Sequence, residues 1–212
     1  MVNTNTSFGN GNPESLTIFS IGHSNQSIET FLALLRQHEI QVLVDVRSSP
    51  YSKYVPHFNS TKLAVTVEQI DIEYKFMGQE LGGRPDGDEF YDADDHVLYK
   101  RVAESALFLK GIQRLMDIGA ASRTAIMCSE EDPAICHRHL LIGHVLTEQG
   151  VDLLHIRGDG HLQNEKDVDF HEEKPFYAQS LWGDELSDQE EYTWRSIRSV
   201  SRRKQQPNSS DL

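Results

Sequence analysis

The stretch LTIFSIGHSNQSIETFLALLRQHEIQVLVDVR, residues 16–47, decides the fold class. It begins with an apolar run that ends at Gly22, a pattern typical of a buried strand. Ser27 can then cap a helix, because the apolar residues that follow it recur at intervals of three and four. A Val-rich run, residues 42–47, ends the stretch. The pattern therefore predicts a strand, a helix and a second strand, which is the unit of a parallel sheet.

The same alternation continues along the chain. Further strands are predicted at residues 72–78, 124–128 and 151–156, and further helices at residues 63–70, at residues 99–116 and from Asp132-Pro133 onward. Long loops are predicted at residues 48–59 and 82–96, which are rich in Pro, Gly and Asp. We therefore expect an α/β fold: a single-domain, mostly parallel five-stranded sheet with helices on both faces, a Rossmann-like three-layer sandwich.

The two ends of the chain differ from this pattern. Residues 1–15 are polar and rich in Asn and Gly, and we expect a disordered leader there. Residues 16–200 are expected to form the single α/β domain, with a short helix near Glu185 to Ser199. Residues 201–212 are predicted to be a polar tail.

Composition excludes several classes of protein. The net charge of −13 argues against broad nucleic-acid binding, which depends on Lys and Arg. No apolar run approaches the roughly 18 residues of a membrane span, so no membrane association is expected. Two cysteines and no secretion signal predict a reducing, cytoplasmic location, where a structural disulfide is disfavoured. The sequence identifies no cofactor and does not indicate an oligomeric state.

Ionisable and hydroxyl-bearing side chains follow every predicted strand. In an open parallel sheet, ligands bind beyond the carboxyl ends of the strands, so these side chains are expected to meet at one edge. The residues at these strand ends are Gly22, His23 and Ser24 after the first strand, Asp45, Arg47 and Ser48 at the second, Gly82, Gly83 and Arg84 after the third, Cys128, Ser129 and Glu130 at the fourth, and His155, Arg157 and Asp159 at the fifth. The convergence predicts a pocket for a small anionic or nucleotide-like ligand.

The residue types suggest roles in such a pocket. Arg47 and Arg138 can clamp an anion in a bidentate manner. Either His23 or His137 can move protons near neutral pH. The remaining candidates are Asp45 to orient a partner, Cys128 or Cys136 as a thiol, Glu130 as a further catalytic group, and Gly22, Ser24, Gly82, Gly83 and Arg84 as ligand-binding residues. These residues could instead be structural, with Asp45 and Arg47 paired to each other and the glycines permitting turns.

The segment MCSEEDPAICHRHLL, residues 127–141, contains both cysteines and leaves its own alternatives open. A reactive thiol is one, because Cys136 is expected in the first turn of a helix, where the dipole lowers a thiol pKa. The charge of Glu130 opposes that effect. Burial of both cysteines as small packing residues is another alternative. A metal site through Cys128, Cys136 and His137 is a third, although no second close pair of ligands is present and no metal ligand is assigned.

A different class of function is a non-catalytic binding or regulatory adaptor. The two long loops contain a set of aromatic residues, and aromatic side chains are enriched at interface hot spots. The set consists of Tyr51, Tyr54, Phe58, Phe90 and Tyr91. The first hypothesis is an enzyme, a transferase or hydrolase dependent on a thiol or a histidine, and the adaptor is the second.

Three motifs in this order resemble a widespread prokaryotic family described as domain of unknown function 488. They are SIGHSNQSIETFLALLRQHEIQVLVDVRSSPYSKYVPHFN, FMGQELGGRP and AIMCSEEDPAICHRHLL with the later HIRGDG, and the resemblance runs from about residue 17 to residue 160. It implies an α/β fold with the motif residues gathered at one edge of the sheet. The resemblance supplies no activity, because the family has no settled one.

Overall fold

The computed structural model describes residues 15–168 and 194–200. Its strands are β1 (Thr17–Gly22), β2 (Val42–Asp45), β3 (Glu73–Phe76), β4 (Thr124–Cys128), β5 (Asp152–Ile156) and β6 (Leu162–Asn164). Its α-helices are α1 (Ile28–Gln37), α2 (Ser60–Glu68), α3 (Tyr99–Glu104), α4 (Ala106–Ala121) and α5 (His144–Glu148), and a π-helix spans Arg138–Gly143.

The strands form one sheet in the order β3-β2-β4-β1-β5-β6. The five predicted strands pair in parallel, whereas β6 is antiparallel to β5. The predicted number of five strands is therefore one too low. A tight turn closed by Gly160, with φ of +90°, reverses the chain after β5. A strand of only three residues with no apolar alternation gives no sequence signal.

Alternate residues of the strands pack on opposite faces of the sheet, which confirms the three layers. Ile18 packs with α4 and the π-helix in one hydrophobic cluster, and its neighbour Phe19 packs with α1 and α2 in the other. The strand order differs from the 3-2-1-4-5-6 order of dinucleotide-binding folds, because β4 lies between β2 and β1. The three-layer description therefore holds, whereas the strand order does not support the Rossmann-like one.

Two predicted helices are shorter than the periodicity suggested. The helix expected over residues 99–116 is interrupted at Ser105, whose hydroxyl accepts a hydrogen bond from the Phe108 amide and so begins α4. At Asp132-Pro133 the side chain caps only a three-residue 3-10 turn. Cys136 is extended, with φ of −115° and ψ of 142°, and the π-helix begins after it. The expectation that Cys136 lies in the first turn of a helix is therefore wrong.

The crossovers explain where a crevice opens. The chain leaves β2 through α2 on one face of the sheet and leaves β4 through the π-helix and α5 on the other. Because neighbouring strands β2 and β4 send their connections to opposite faces, their carboxyl ends flank a gap. The motif segments after residues 46 and 127 therefore meet at the edges of one crevice.

Some expectations fall on residues that are not described. The expected leader apart from Ser15, the polar tail and most of the helix expected near residues 185–199 lie outside the described ranges, and residues 194–199 are not helical. Within those ranges, every helix is too short or too polar to span a bilayer.

Candidate functional site

A cavity of about 530 Å³ opens at the carboxyl ends of β2 and β4. Seven of the residues selected from the sequence line it: Arg47, Gly83, Arg84, Cys128, Glu130, Cys136 and His137. Six others do not line it: Gly22, His23, Ser24, Asp45, Gly82 and Arg138. The crevice therefore collects the cysteine segment and Gly83 of the Gly-Gly turn, while the Gly-His-Ser turn lies beside it.

The two sulfur atoms form the floor of the cavity together with one carboxylate. The Cys128 thiol donates to Glu130 Oε2 over 3.1 Å, and Cys136 Sγ lies 3.4 Å from the same oxygen. Both cysteines are free and buried, whereas Glu130 is exposed. The fold thus brings together two thiols that the sequence places eight residues apart and points a carboxylate at both.

His137 completes this floor, and its ring orientation is fixed. Its Nε2 donates to the carbonyl oxygen of Val46 over 3.2 Å, since a carbonyl can only accept. The other ring nitrogen, Nδ1, lies 3.7 Å from the sulfur of Cys128 and 3.8 Å from that of Cys136. A Cβ added to Gly83 would lie 2.9 Å from this Nδ1, so only glycine lets the loop pack on the imidazole.

Arg138 is 1% exposed and lies beneath the floor rather than in the cavity. Its Nε donates to Cys136 Sγ over 3.3 Å and its Nη1 to Ser20 Oγ over 3.1 Å. Its Nη2 donates to the carbonyl oxygens of Glu130 and Glu131 at 2.6 and 3.3 Å. This guanidinium therefore ties the cysteine segment to β1 and places a positive charge at one sulfur.

The electrostatics of the floor separate the two thiols. Burial opposes ionisation of Cys136, but the hydrogen bond with Cys128 and the charge of Arg138 outweigh it and lower its pKa well below 9.0. The hydrogen bond with Cys136 and burial raise the pKa of Cys128. For His137, burial is outweighed by the hydrogen bond with Cys136, and the pKa lies above 6.5. One negative charge on the sulfur pair is therefore stabilised.

Asp45 and Arg47 pair with each other, as one of the alternatives foresaw. Arg47 donates from Nε to Asp45 Oδ1 over 2.9 Å and from Nη2 to Oδ2 over 2.6 Å, and Tyr74 also donates to this carboxylate. Two further donors of Arg47 contact His23 Nε2 at 3.1 Å and the carbonyl oxygen of Phe58 at 2.8 Å. These contacts engage the guanidinium within the protein.

His23 lies in the same network. Its ring stacks on Phe58 with centroids 4.3 Å apart, and its Nδ1 donates to the carbonyl oxygen of Ser24 over 2.8 Å. Burial and the charge of Arg47 lower its pKa to about 4. The imidazole is therefore neutral at neutral pH and accepts from Arg47.

Gly22 allows the cysteine loop to cross the end of β1. A Cβ at this position would lie 1.8 Å from the carbonyl oxygen of Glu130. Gly82 is similarly packed, against the Gly78 carbonyl oxygen and Ser48 Oγ, each 2.3 Å from an added Cβ. These motif glycines bring loops into close contact and do not themselves face the cavity.

Sequence reasoning missed part of the cavity wall. Residues 196–200 line it, and this segment is fixed by hydrogen bonds of Ser196 to Val97 and of Val200 to Asp95. The Arg198 side chain is exposed at the cavity, as is that of Arg84. Neither guanidinium makes an ion pair with a described residue. No local pattern near Arg198 distinguishes it from an ordinary basic tail.

The polar residues that end and follow β5 do not line this cavity. The buried Glu165 carboxylate contacts two histidines: Oε1 lies 2.6 Å from His139 Nδ1, and Oε2 lies 2.6 Å from His155 Nε2. The other ring nitrogen of His155, Nδ1, accepts a hydrogen bond from the Ser20 hydroxyl. Arg157 pairs with Glu131 over 2.9 Å beside a second cavity of about 420 Å³. Glu165 could not be foreseen, because it follows the unpredicted strand β6.

The aromatic residues of the long loops do not share one surface. Tyr51 and Tyr54 are 74% and 82% exposed, whereas Phe58 and Tyr91 are buried. Phe90 is partly buried against the core, and buried rings cannot contact a partner. The surface available for an adaptor function is therefore limited mainly to two of the five aromatic residues.

The family model described as domain of unknown function DUF488 matches residues 27–145. Comparison with curated proteins gave no match, and comparison with solved structures gave none either. The matched range includes the Asp-Val-Arg strand end, the Gly-Gly turn and both cysteines.

Proposed function

Since the chain belongs to the family described as domain of unknown function DUF488, a description that states no activity, we propose a function from the cavity: the protein is an enzyme for a small anionic substrate. The substrate class includes phosphate or carboxylate compounds of nucleotide size or smaller. The reaction is a transfer or a hydrolysis carried out on the floor formed by Cys128, Cys136, His137 and Glu130.

One observation carries this proposal. Two sulfurs, an imidazole nitrogen and an exposed carboxylate converge on the floor of a cavity of about 530 Å³. That volume lies within the roughly 300–1,000 Å³ typical of ligand pockets. Buried thiols that served only for packing would not need a carboxylate directed at them and a histidine fixed beside them.

The walls favour an anion. Arg84 and Arg198 present guanidinium groups at the cavity, and Ser48, Ser49 and Ser129 lie among its lining residues. Guanidinium groups bind carboxylates and phosphates in a bidentate manner. We assign the substrate charge to Arg84 and Arg198, because four of the five N–H donors of Arg47, and four of the five of Arg138, are engaged within the protein.

Glu130 is the best-placed proton carrier. Its side chain is exposed and its carboxylate reaches both sulfurs. His137 is less suited, because one ring nitrogen donates to Val46 and the other faces the sulfurs. The sulfurs act in the reaction either as a nucleophile or as ligands of an ion.

Titration calorimetry with inorganic phosphate, sulfate, acetate and AMP tests the binding part. We expect at least one probe to bind saturably. Arg84→Gln and Arg198→Gln should each weaken its binding about tenfold, because each variant loses a hydrogen bond from a charged group. Arg114→Gln is the matched control, since Arg114 pairs with Glu80 away from the cavity. If none of the probes binds at millimolar concentration, the anionic substrate class is wrong.

Hydrolysis of a chromogenic aryl phosphate and an aryl ester tests the catalytic part. Slow turnover that disappears in Glu130→Gln supports an enzyme. Equal rates for wild type, Glu130→Gln and buffer would contradict it and would favour the adaptor, whose remaining support is the exposure of Tyr51 and Tyr54.

A further inference from the structure

Three side chains on the cavity floor have the arrangement of metal ligands. The ligand atoms of Cys128, Cys136 and His137 all lie within 4.8 Å of one another. We infer that these three residues bind one divalent transition metal ion, and that zinc is the ion this donor set fits. The inference deepens the proposed function and rests on it in one respect, the role of the ion in the reaction.

The distances agree with a common centre. Bonds of about 2.3 Å to sulfur and about 2.0 Å to nitrogen at tetrahedral angles place sulfur and nitrogen about 3.5 Å apart. The observed separations from His137 Nδ1 are 3.7 Å to Cys128 and 3.8 Å to Cys136. A shift of a few tenths of an ångström in each side chain would therefore suffice to coordinate the ion.

The surroundings of His137 are an independent indication. A metal-bound histidine characteristically donates its other ring N–H to a carbonyl or carboxylate, which fixes the tautomer. His137 Nε2 donates to the Val46 carbonyl oxygen over 3.2 Å, so in the neutral imidazole Nδ1 carries the lone pair, which is directed at the sulfurs. Gly83 packs against the same ring, and any larger residue would displace Nδ1.

The ligand count indicates a catalytic rather than a structural site. Structural zinc has four protein ligands, whereas catalytic zinc keeps one position for water or substrate. Here three residues converge and the cysteines face the cavity. Glu130 Oε2 lies beside the sulfurs at 3.1 and 3.4 Å, in position to accept a proton from a water molecule in the fourth position.

Charge also favours a cation. Two thiolates beside the Glu130 carboxylate would repel one another, and Arg138 offers a single positive charge at Cys136. A divalent ion would compensate the remaining charge. The Arg138 N–H bond to Cys136 Sγ is compatible with coordination, because a metal thiolate still accepts hydrogen bonds.

Cobalt titration tests the site directly. The full-length chain without a histidine tag is reduced, treated with a chelator and titrated anaerobically with Co²⁺, and the thiolate-to-cobalt charge-transfer absorption is recorded. We expect saturation at one equivalent and displacement of the absorption by Zn²⁺. Absence of this absorption in the wild-type protein overturns the inference without recourse to any variant.

Variants identify the ligands. We expect each of the variants Cys128→Ser, Cys136→Ser and His137→Gln to weaken Co²⁺ binding on the order of 100-fold or more. Loss of a residue that only supports a metal ligand weakens binding by about 10- to 100-fold, so loss of a ligand itself should cost at least as much. Ser129→Ala is the matched control, because Ser129 lines the same cavity between Cys128 and Glu130. Circular dichroism establishes that each variant is folded. Unchanged affinity in a folded His137→Gln variant contradicts the assignment.

The same protein samples separate the two proposals. If Co²⁺ binds as expected and no anionic probe binds, the metal site stands and the proposed function fails. If an anionic probe binds and is turned over by protein that takes up no Co²⁺, the function stands and the metal inference fails. Glu130→Gln should retain Co²⁺ affinity within about tenfold. A loss of affinity as large as that of Cys136→Ser would instead show that Glu130 is the fourth ligand, and no coordination position would then remain for water or substrate.

Discussion

The guanidinium of Arg138 donates to the sulfur of Cys136 over 3.3 Å and to the hydroxyl of Ser20, on the central strand β1, over 3.1 Å. One buried side chain thus joins the cysteine to the middle of the sheet. Because its Nη2 also binds the Glu130 carbonyl oxygen at 2.6 Å, it fixes both ends of the segment that crosses the cavity floor.

Arg138→Lys should destabilise the protein by about 3 kcal/mol or more, since an ammonium cannot reproduce the planar set of donors and a buried charge would be left incompletely paired. Urea unfolding measures the change in free energy. Arg114→Lys, at an exposed pair with Glu80, should change it by less than about 1 kcal/mol. Equal effects at the two positions would show that the buried contacts of Arg138 contribute nothing.

Gly83→Ala should weaken Co²⁺ binding at least about tenfold with only a small loss of stability. The added Cβ would lie 2.8 Å from His137 Cγ and would rotate the ring away from the sulfurs. Cobalt titration measures the affinity. The control is Gly158→Ala, where the nearest atom to an added Cβ is 3.7 Å away. Wild-type affinity in Gly83→Ala would mean that the ring position does not govern binding.

Asp45→Asn should cost about 3–5 kcal/mol of unfolding free energy, because Arg47 would remain buried with its charge uncompensated. Chemical denaturation measures the loss. As a control, Glu73→Gln removes the partner of Lys75 at the sheet edge and should cost less than about 1 kcal/mol. A small effect of Asp45→Asn would show that neighbouring dipoles alone support the guanidinium.

Stability should fall on acidification below pH 6.5, because His23 and His155 both have pKa values below 6.5 in the folded protein, and one of the two protons involved belongs to His155. Burial lowers the pKa of this imidazole below its ordinary 6.5, and the hydrogen bond with Glu165 offsets the effect only in part. Below pH 6.5 the unfolded chain therefore binds a proton that the folded protein does not, and the free energy of unfolding decreases as pH falls. One such proton gives a slope of at most about 1.4 kcal/mol per pH unit.

Urea unfolding at about pH 7 and about pH 5.5 measures this slope. The pKa of Glu165 lies below 4.5, since its hydrogen bonds from His139 and His155 outweigh burial, so its titration falls outside this range. His155→Gln should be less stable at pH 7 but show a smaller slope. Ser20→Ala keeps the imidazole and should keep the slope. A wild-type slope in His155→Gln would assign the pH dependence to other groups.

Much of the fold follows from local patterns. The apolar run that ends at Gly22 and the Val-rich run before Asp45 form parallel strands, because residues buried on both faces of a sheet have no other favourable place. Strand β6 and the break at Ser105 were not predicted. A three-residue edge strand and a cap within an apolar periodicity leave almost no signal in the chain.

The position of the cavity was predictable from the strand ends, whereas the contacts of its lining residues were less so. The carboxyl ends of β2 and β4 gather the cysteine segment and Gly83 of the Gly-Gly turn, as the strand ends suggested. The sequence could not show that the donors of Arg47 are engaged by Asp45, or that Arg198 returns to the cavity from far along the chain. Such contacts depend on the packing of segments that are distant in sequence.

By itself, the sequence determined the layered α/β architecture and the residue types available at the edge of the sheet, because both depend on short-range periodicity and composition. Only the tertiary structure decided what Cys128 and Cys136 face. A separation of eight residues gives no ligand geometry on its own, but the crossover from β4 to the π-helix folds the segment back so that His137 and Glu130 meet both sulfurs. The physical reason is the strand order, which places β4 beside β2 and sends their connections to opposite faces of the sheet.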